Sequence, residues 1–146
     1  MNNIINVFLN NGLSMLDLSN LTGVRSLRFL RQVKENKELI PYSLNFLLII
    51  ELKFQETKET VEVDKEKARE LGLSYLSLTK FSNWEHPTPL EIKSVCNSIG
   101  GGSSSIGALV GVTGSNVRKF IGGHKKIPYS VWALMCYEAN IGAIWR

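Results

Sequence analysis

Thr113-Gly114-Ser115-Asn116-Val117-Arg118-Lys119-Phe120, set between Gly111-Val112 and Gly123-His124-Lys125-Lys126-Ile127-Pro128-Tyr129-Ser130, is the stretch whose reading decides the fold. Thr113 is a residue type that caps helices, and it stands before a run whose apolar members, Val117 and Phe120, recur at helical spacing. That spacing turns Val117 and Phe120 inward and leaves Ser115, Asn116, Arg118 and Lys119 outward. The outward residues share a chemistry. An Asn amide matches the edge of adenine, Arg matches guanine or a phosphate, and Ser and Lys favour backbone oxygens. The expectation is an exposed helix that can face double-stranded DNA.

The chain says much the same thing twice. Ile40-Pro41-Tyr42-Ser43 recurs as Ile127-Pro128-Tyr129-Ser130, and Leu21-Thr22-Gly23-Val24 corresponds to Leu109-Val110-Gly111-Val112, at spacings that differ by a single residue. The register pairs Leu30 with Val117, Arg31 with Arg118, Val33 with Phe120 and Leu47 with Leu134; upstream it pairs Ile4 with Ile92 and Gly12 with Gly100. A diverged tandem repeat of helix-turn-helix units is expected, because a four-residue identity with matched flanks is hard to reach by chance.

The 146 residues suffice for one ordinary domain or two small ones sharing a core, and 44% hydrophobic with 21% charged residues belongs to a folded chain. Net charge is +4, unevenly spread. Residues 94–146 hold five Lys or Arg against one acid, and five of the six bases in residues 1–57 lie between Arg25 and Lys37. The positive charge therefore sits on the two proposed DNA-facing segments. No apolar run reaches membrane-spanning length, and the amino terminus lacks the order of a signal peptide, so a cytoplasmic location is expected. Cys96 and Cys136 read as reduced core residues, with a disulfide as the alternative, since His86 and His124 do not supply ligand spacing for a metal.

Along the chain, helices are expected from Asn2 to Asn10, from Ser14 to Gly23 and from Ser26 to Lys34, and then from Pro41 to Leu52 or Phe54. The third of these leaves Arg25, Arg28, Arg31, Gln32 and Lys34 toward solvent, with Lys37 just beyond. Thr60-Val61-Glu62-Val63 and Tyr75-Leu76-Ser77-Leu78-Thr79 alternate as short strands, on either side of a helix capped by Asp64. Helical patterning resumes at Pro89 after the cap Thr88. Ser103 to Val110 forms the first helix of the motif, burying Ile106, Leu109 and Val110, and a last helix runs from Pro128 to about Ala139. Gly107 in the middle of a helix calls for a close approach of the two helices of the motif. The expected fold is mainly α: helix-turn-helix units at 1–56 and 87–146, joined by a mixed strand-helix-strand insert at 57–86.

The carboxy-terminal half resembles the Cro/repressor helix-turn-helix regulators of phages and plasmids, through Pro87-Thr88-Pro89-Leu90-Glu91-Ile92, Gly111 to Phe120, and Gly122-Gly123-His124-Lys125-Lys126-Ile127-Pro128-Tyr129-Ser130-Val131-Trp132. The resemblance implies a transcriptional regulator, a repressor of a phage or mobile element, with DNA contacts at Ser115, Asn116, Arg118 and Lys119 and with His124 and Lys125 near the backbone. Thr113 and Lys126 flank that set. Ser103-Ser104-Ser105 stands where the family usually carries Gln. No catalytic residue, cofactor or metal is expected. A homodimer and a protein partner stay open, the latter as a competing reading in which Trp84, Trp132 or Trp145 serves as an exposed anchor for a protein-binding inhibitor or adaptor.

Overall fold

The computed structural model describes residues 3–59 and 62–146. Among these the chain forms nine α-helices: α1 Ile4–Asn10, α2 Met15–Thr22, α3 Leu27–Lys34, α4 Tyr42–Thr57, α5 Lys65–Glu70, α6 Pro89–Ile99, α7 Ser103–Val110, α8 Gly114–Ile121 and α9 Tyr129–Glu138. The fold is mainly α, as the periodicity implies. Local chemistry sets the helix starts. Side-chain oxygens of Asn3, Ser14, Ser26, Asp64, Thr88 and Thr113 each accept from backbone N–H groups in the first turn that follows, and Ser14–Asp17 and Thr88–Glu91 close full capping boxes.

Helices in the two halves keep a common register. α2 and α7 are both eight residues long and begin 88 positions apart, at Met15 and Ser103. α3 and α8 are also both eight residues and begin 87 apart, and α4 and α9 start 87 apart after Pro41 and Pro128. The single-residue change of offset falls in the turn containing Arg25.

Apolar side chains gather in two clusters that meet at α4. Ile5, Phe8, Leu18, Leu30, Val33, Leu44 and Leu48 form the first. The second surrounds Trp132 and draws in Val95, Ile106, Val110, Val117, Phe120 and the tail from Ile141 to Trp145. Leu47, Ile50 and Phe54 belong to this second cluster, so α4 presents one stripe to each side. Leu109 departs from expectation: it is 39% exposed, because Ile106 and Val110 already fill the buried stripe of α7.

The expected strands of the insert are not found among the described residues. Thr60 and Val61 lie outside them, and Glu62 and Val63 belong to no strand. Tyr75–Leu78 is a turn of 3-10 helix, followed by another at Phe81–Asn83. The backbone here finds its partners in side chains instead of a neighbouring strand. Ser77 O accepts from both Trp84 Nε1 at 3.0 Å and Trp132 Nε1 at 2.7 Å, and Ser74 N donates to Glu91 Oε2 at 2.8 Å. The helix expected after Asp64 is present as α5.

Candidate nucleic-acid interface

The corner between α7 and α8 begins with chain sterics. α7 ends at Gly111, whose φ of 79° lies in the left-handed region, and the N–H of Gly111 returns to Gly107 O at 2.8 Å. A Cβ at Gly107 would collide with the carbonyl oxygen of Val112 and lie 3.1 Å from Thr113 C. The missing side chain thus lets the turn fold back against α7. Thr113 Oγ1 accepts from Asn116 N at 3.1 Å and starts α8.

From that corner α8 stands out with a divided surface. Val117 and Phe120 are buried, Thr113, Ser115, Arg118 and Lys119 are exposed, and Asn116 is partly covered. Lys125 Nζ donates to Asn116 Oδ1 at 3.3 Å, tying the loop after α8 to its first turn. His124 folds over the end of α8, its Cδ2 being 2.8 Å from where a Cβ of Gly122 would stand. His124, Lys125 and Lys126 are all exposed. This brings the sequence-selected residues of the later half onto one helix and the loop that follows it.

The earlier half is arranged likewise but is less free. Leu30 and Val33 anchor α3, and Arg28, Arg31 and Lys34 are exposed while Gln32 is partly covered. Arg25 and Lys37 have other engagements. The Arg25 guanidinium lies over the Phe81 ring at 5.5 Å, and Lys37 pairs with Glu35 at 3.1 Å. Apart from the Lys37–Glu35 pair, the other ion pair among the described residues joins Arg146 to Glu51, so no acid neutralises Arg28, Arg31, Lys34, Arg118, Lys119 or Lys126 there.

Between the halves, α4 crosses α9. Ser43 Oγ and Ser130 Oγ share a hydrogen bond of 2.9 Å. Tyr129 packs on Gly23 so closely that a Cβ there would come within 2.5 Å of the Tyr129 Cβ, and Tyr42 meets Gly111 at the same 2.5 Å from its own Cβ. The recurrence of Tyr and Ser is visible in the chain, but their role as the joint is not; the signal was an identity kept at positions that no single helical face demands. Beside the joint, His86 lies 4.4 Å from the Trp84 ring, and burial together with nearby Lys126 and Arg25 holds its pKa below the ordinary value.

The tryptophans are not exposed anchors. Trp132 and Trp145 are buried, Trp84 is partly so, and each indole N–H is bonded, that of Trp145 to Glu51 Oε1 at 3.1 Å. The rings go into the core because Ser77 O and Glu51 meet the N–H groups that burial takes out of water. Cys96 and Cys136 are free and buried, and burial raises the Cys96 thiol to about 11. No helix among the described residues is long and apolar enough to cross a membrane.

The chain is similar to the transcriptional repressor protein KorC of Escherichia coli, at 39% identity over 66 residues that make up 43% of this chain and 78% of the relative. A second E. coli protein of the same name is 33% identical over 66 residues, with the same shares of each chain. The two shares make these relatives a little over half as long as this chain. No family model matches the chain, and no solved structure matches it.

Proposed function

Since this chain belongs to the family of the KorC transcriptional repressors, we propose that it is a sequence-specific double-stranded DNA-binding repressor built from two diverged helix-turn-helix units, at 1–56 and 87–146. The observation that carries this reading is α8: a short helix after a glycine corner, buried only at Val117 and Phe120, with Ser115, Arg118 and Lys119 held outward and unneutralised. Such a helix fits the major groove. Arg118 and Asn116 would read base edges, while Thr113, Ser115, Lys119, His124, Lys125 and Lys126 would hold phosphates. Arg28, Arg31, Gln32 and Lys34 form the matching set on α3, with Arg25 and Lys37 contributing once released from Phe81 and Glu35. The common register of the helices and the shorter relatives support the duplication. A repressor acting this way would occlude a promoter by occupancy, which needs no cofactor.

The test is a titration of a duplex from upstream of the protein's own gene, read by fluorescence anisotropy. Arg118→Ala with Lys119→Ala is expected to weaken binding by on the order of 100-fold, from about 1–3 kcal/mol per lost base contact plus one phosphate contact. Thermal unfolding should be unchanged, because both side chains are exposed. Affinity equal to that of the parent would sink the assignment of α8.

A further inference from the structure

The contacts at the joint are reciprocal. Tyr129 of the later half seats on Gly23 of the earlier one, Tyr42 of the earlier half seats on Gly111 of the later one, and Ser43 meets Ser130. In the common register Tyr42 corresponds to Tyr129, Gly23 to Gly111 and Ser43 to Ser130. A pairing in which residue i meets j′, j meets i′ and one residue meets its own counterpart is the signature of a two-fold axis. Two units related by simple translation would touch through different faces, and neither the exchanged Tyr–Gly pairs nor the Ser–Ser pair would form.

We infer that this chain is its own dimer: an internal two-fold axis at Ser43 and Ser130 sets α3 and α8 to read two half-sites in inverted orientation, so that one chain recognises a duplex whose halves differ in sequence. The inference rests on the DNA-binding reading above and adds the symmetry and stoichiometry of the site. Inversion follows from the axis, because duplex DNA has its own two-fold axes and a two-fold protein matches them. The difference between halves follows from the reading residues. α3 offers Arg28, Arg31 and Gln32, whereas α8 offers Asn116 and Arg118. The axis is broken on one side only: Phe81 and Trp84 pack edge-on against Tyr129, whose hydroxyl donates to Thr79 O at 3.0 Å, while Tyr42 remains 48% exposed. The insert thereby braces the joint on the Tyr129 side, and its Phe81 also engages Arg25 just before α3.

The experiment is a selection from random duplexes with the full chain, followed by binding to chosen sites and sedimentation of the complexes. Two unlike half-motifs in inverted orientation, with one chain per duplex, are expected. Turning one half-motif around at fixed spacing should cost on the order of 100-fold in affinity, since the second unit then loses its high effective concentration. Arg118→Ala with Lys119→Ala should relax selection in one half-motif and Arg31→Ala with Gln32→Ala in the other. A direct repeat, indifference to orientation, a single half-motif, or a palindrome holding two chains would each overturn the internal dimer while leaving DNA binding intact. If no duplex is enriched at low salt, both the inference and the DNA-binding reading fall.

Discussion

Glu91 shows how much one side chain holds together. It closes the capping box of α6 by accepting from Thr88 N at 3.1 Å, and its other oxygen accepts from Ser74 N at 2.8 Å and from the hydroxyls of Ser74 and Ser77 at 3.2 Å. Burial pushes the carboxyl pKa up, but these donors outweigh it and the net shift is downward. A depressed carboxylate contributes stability that is full above its ordinary value of 4.5 and is lost as pH falls through the lower, folded-state value. Glu91→Ala is therefore expected to cost about 2–3 kcal/mol at neutral pH in urea unfolding. The gap from the parent should narrow below pH 4.5; a gap independent of pH would refute the ionised role. Glu51 is the counterpart in the other wall: buried on α4, it accepts from Trp145 Nε1 and Gln55 Nε2 and pairs with Arg146 at 3.0 Å. Glu51→Ala should cost about 3 kcal/mol, at the low end for a buried pair because Arg146 is partly exposed. A loss under about 0.5 kcal/mol, the range of ordinary surface changes, would contradict it.

At the scale of helices and turns, the corners carry the strictest demands. Gly23 and Gly111 end α2 and α7 at φ of 76° and 79°, and each also receives a tyrosine from the other half. Alanine at either position meets backbone strain and a Cβ collision together. Gly23→Ala is expected to cost about 3 kcal/mol and Gly111→Ala about 2, by chemical denaturation. The ordering follows from surroundings: Tyr129 is buried and cannot retreat, whereas Tyr42 is half exposed, with the partly buried Phe46 stacked on it. Equal costs would mean that the joint does not hold the rings as described. The helix caps were readable from residue type and spacing, since Ser, Thr, Asp and Asn bond to amides only two or three residues away. Tyr75 to Thr79 was misleading for the opposite reason. Its alternation suits a strand, yet a strand needs a neighbour, and the partners here are side chains instead: Glu91, the nearby Trp84 indole and the distant Trp132 indole.

Taken whole, the molecule places six cations without an acid partner among the described residues on α3, α8 and the loop after α8, alongside other unpaired lysines and arginines on α4, α5, α6 and in the insert. If Arg28, Arg31, Lys34, Arg118, Lys119 and Lys126 each displace a counterion from DNA, affinity should fall by about a thousandfold between roughly 50 and 200 mM salt. A flat response would argue for a protein surface as the target. The joint gives a further reason to expect both helices to act at once. α4 lines both apolar clusters, and the tail from Ile141 to Trp145 is buried against the second, so the earlier and later parts of the chain share a wall instead of hanging on a linker. If both helices read DNA as proposed, a shared wall would limit the spacing of half-sites to whatever the joint sets, and a selected site should tolerate little variation there.

The amino-acid sequence by itself determined the helical character, the caps, the glycine corner and the outward residues of α8, because each depends on neighbours within a few positions or on a helical repeat. It also contained the recurrence of Ile-Pro-Tyr-Ser and the clustering of positive charge. What only the tertiary structure decided is how the two halves face each other, which tryptophans are inside, and that the insert is a braced pair of turns and not a sheet. Those outcomes rest on contacts between residues far apart in the chain, such as Ser43 with Ser130 and Trp132 with Ser77. No local pattern encodes such pairs, since their energy exists only once both partners have been brought out of water and into register.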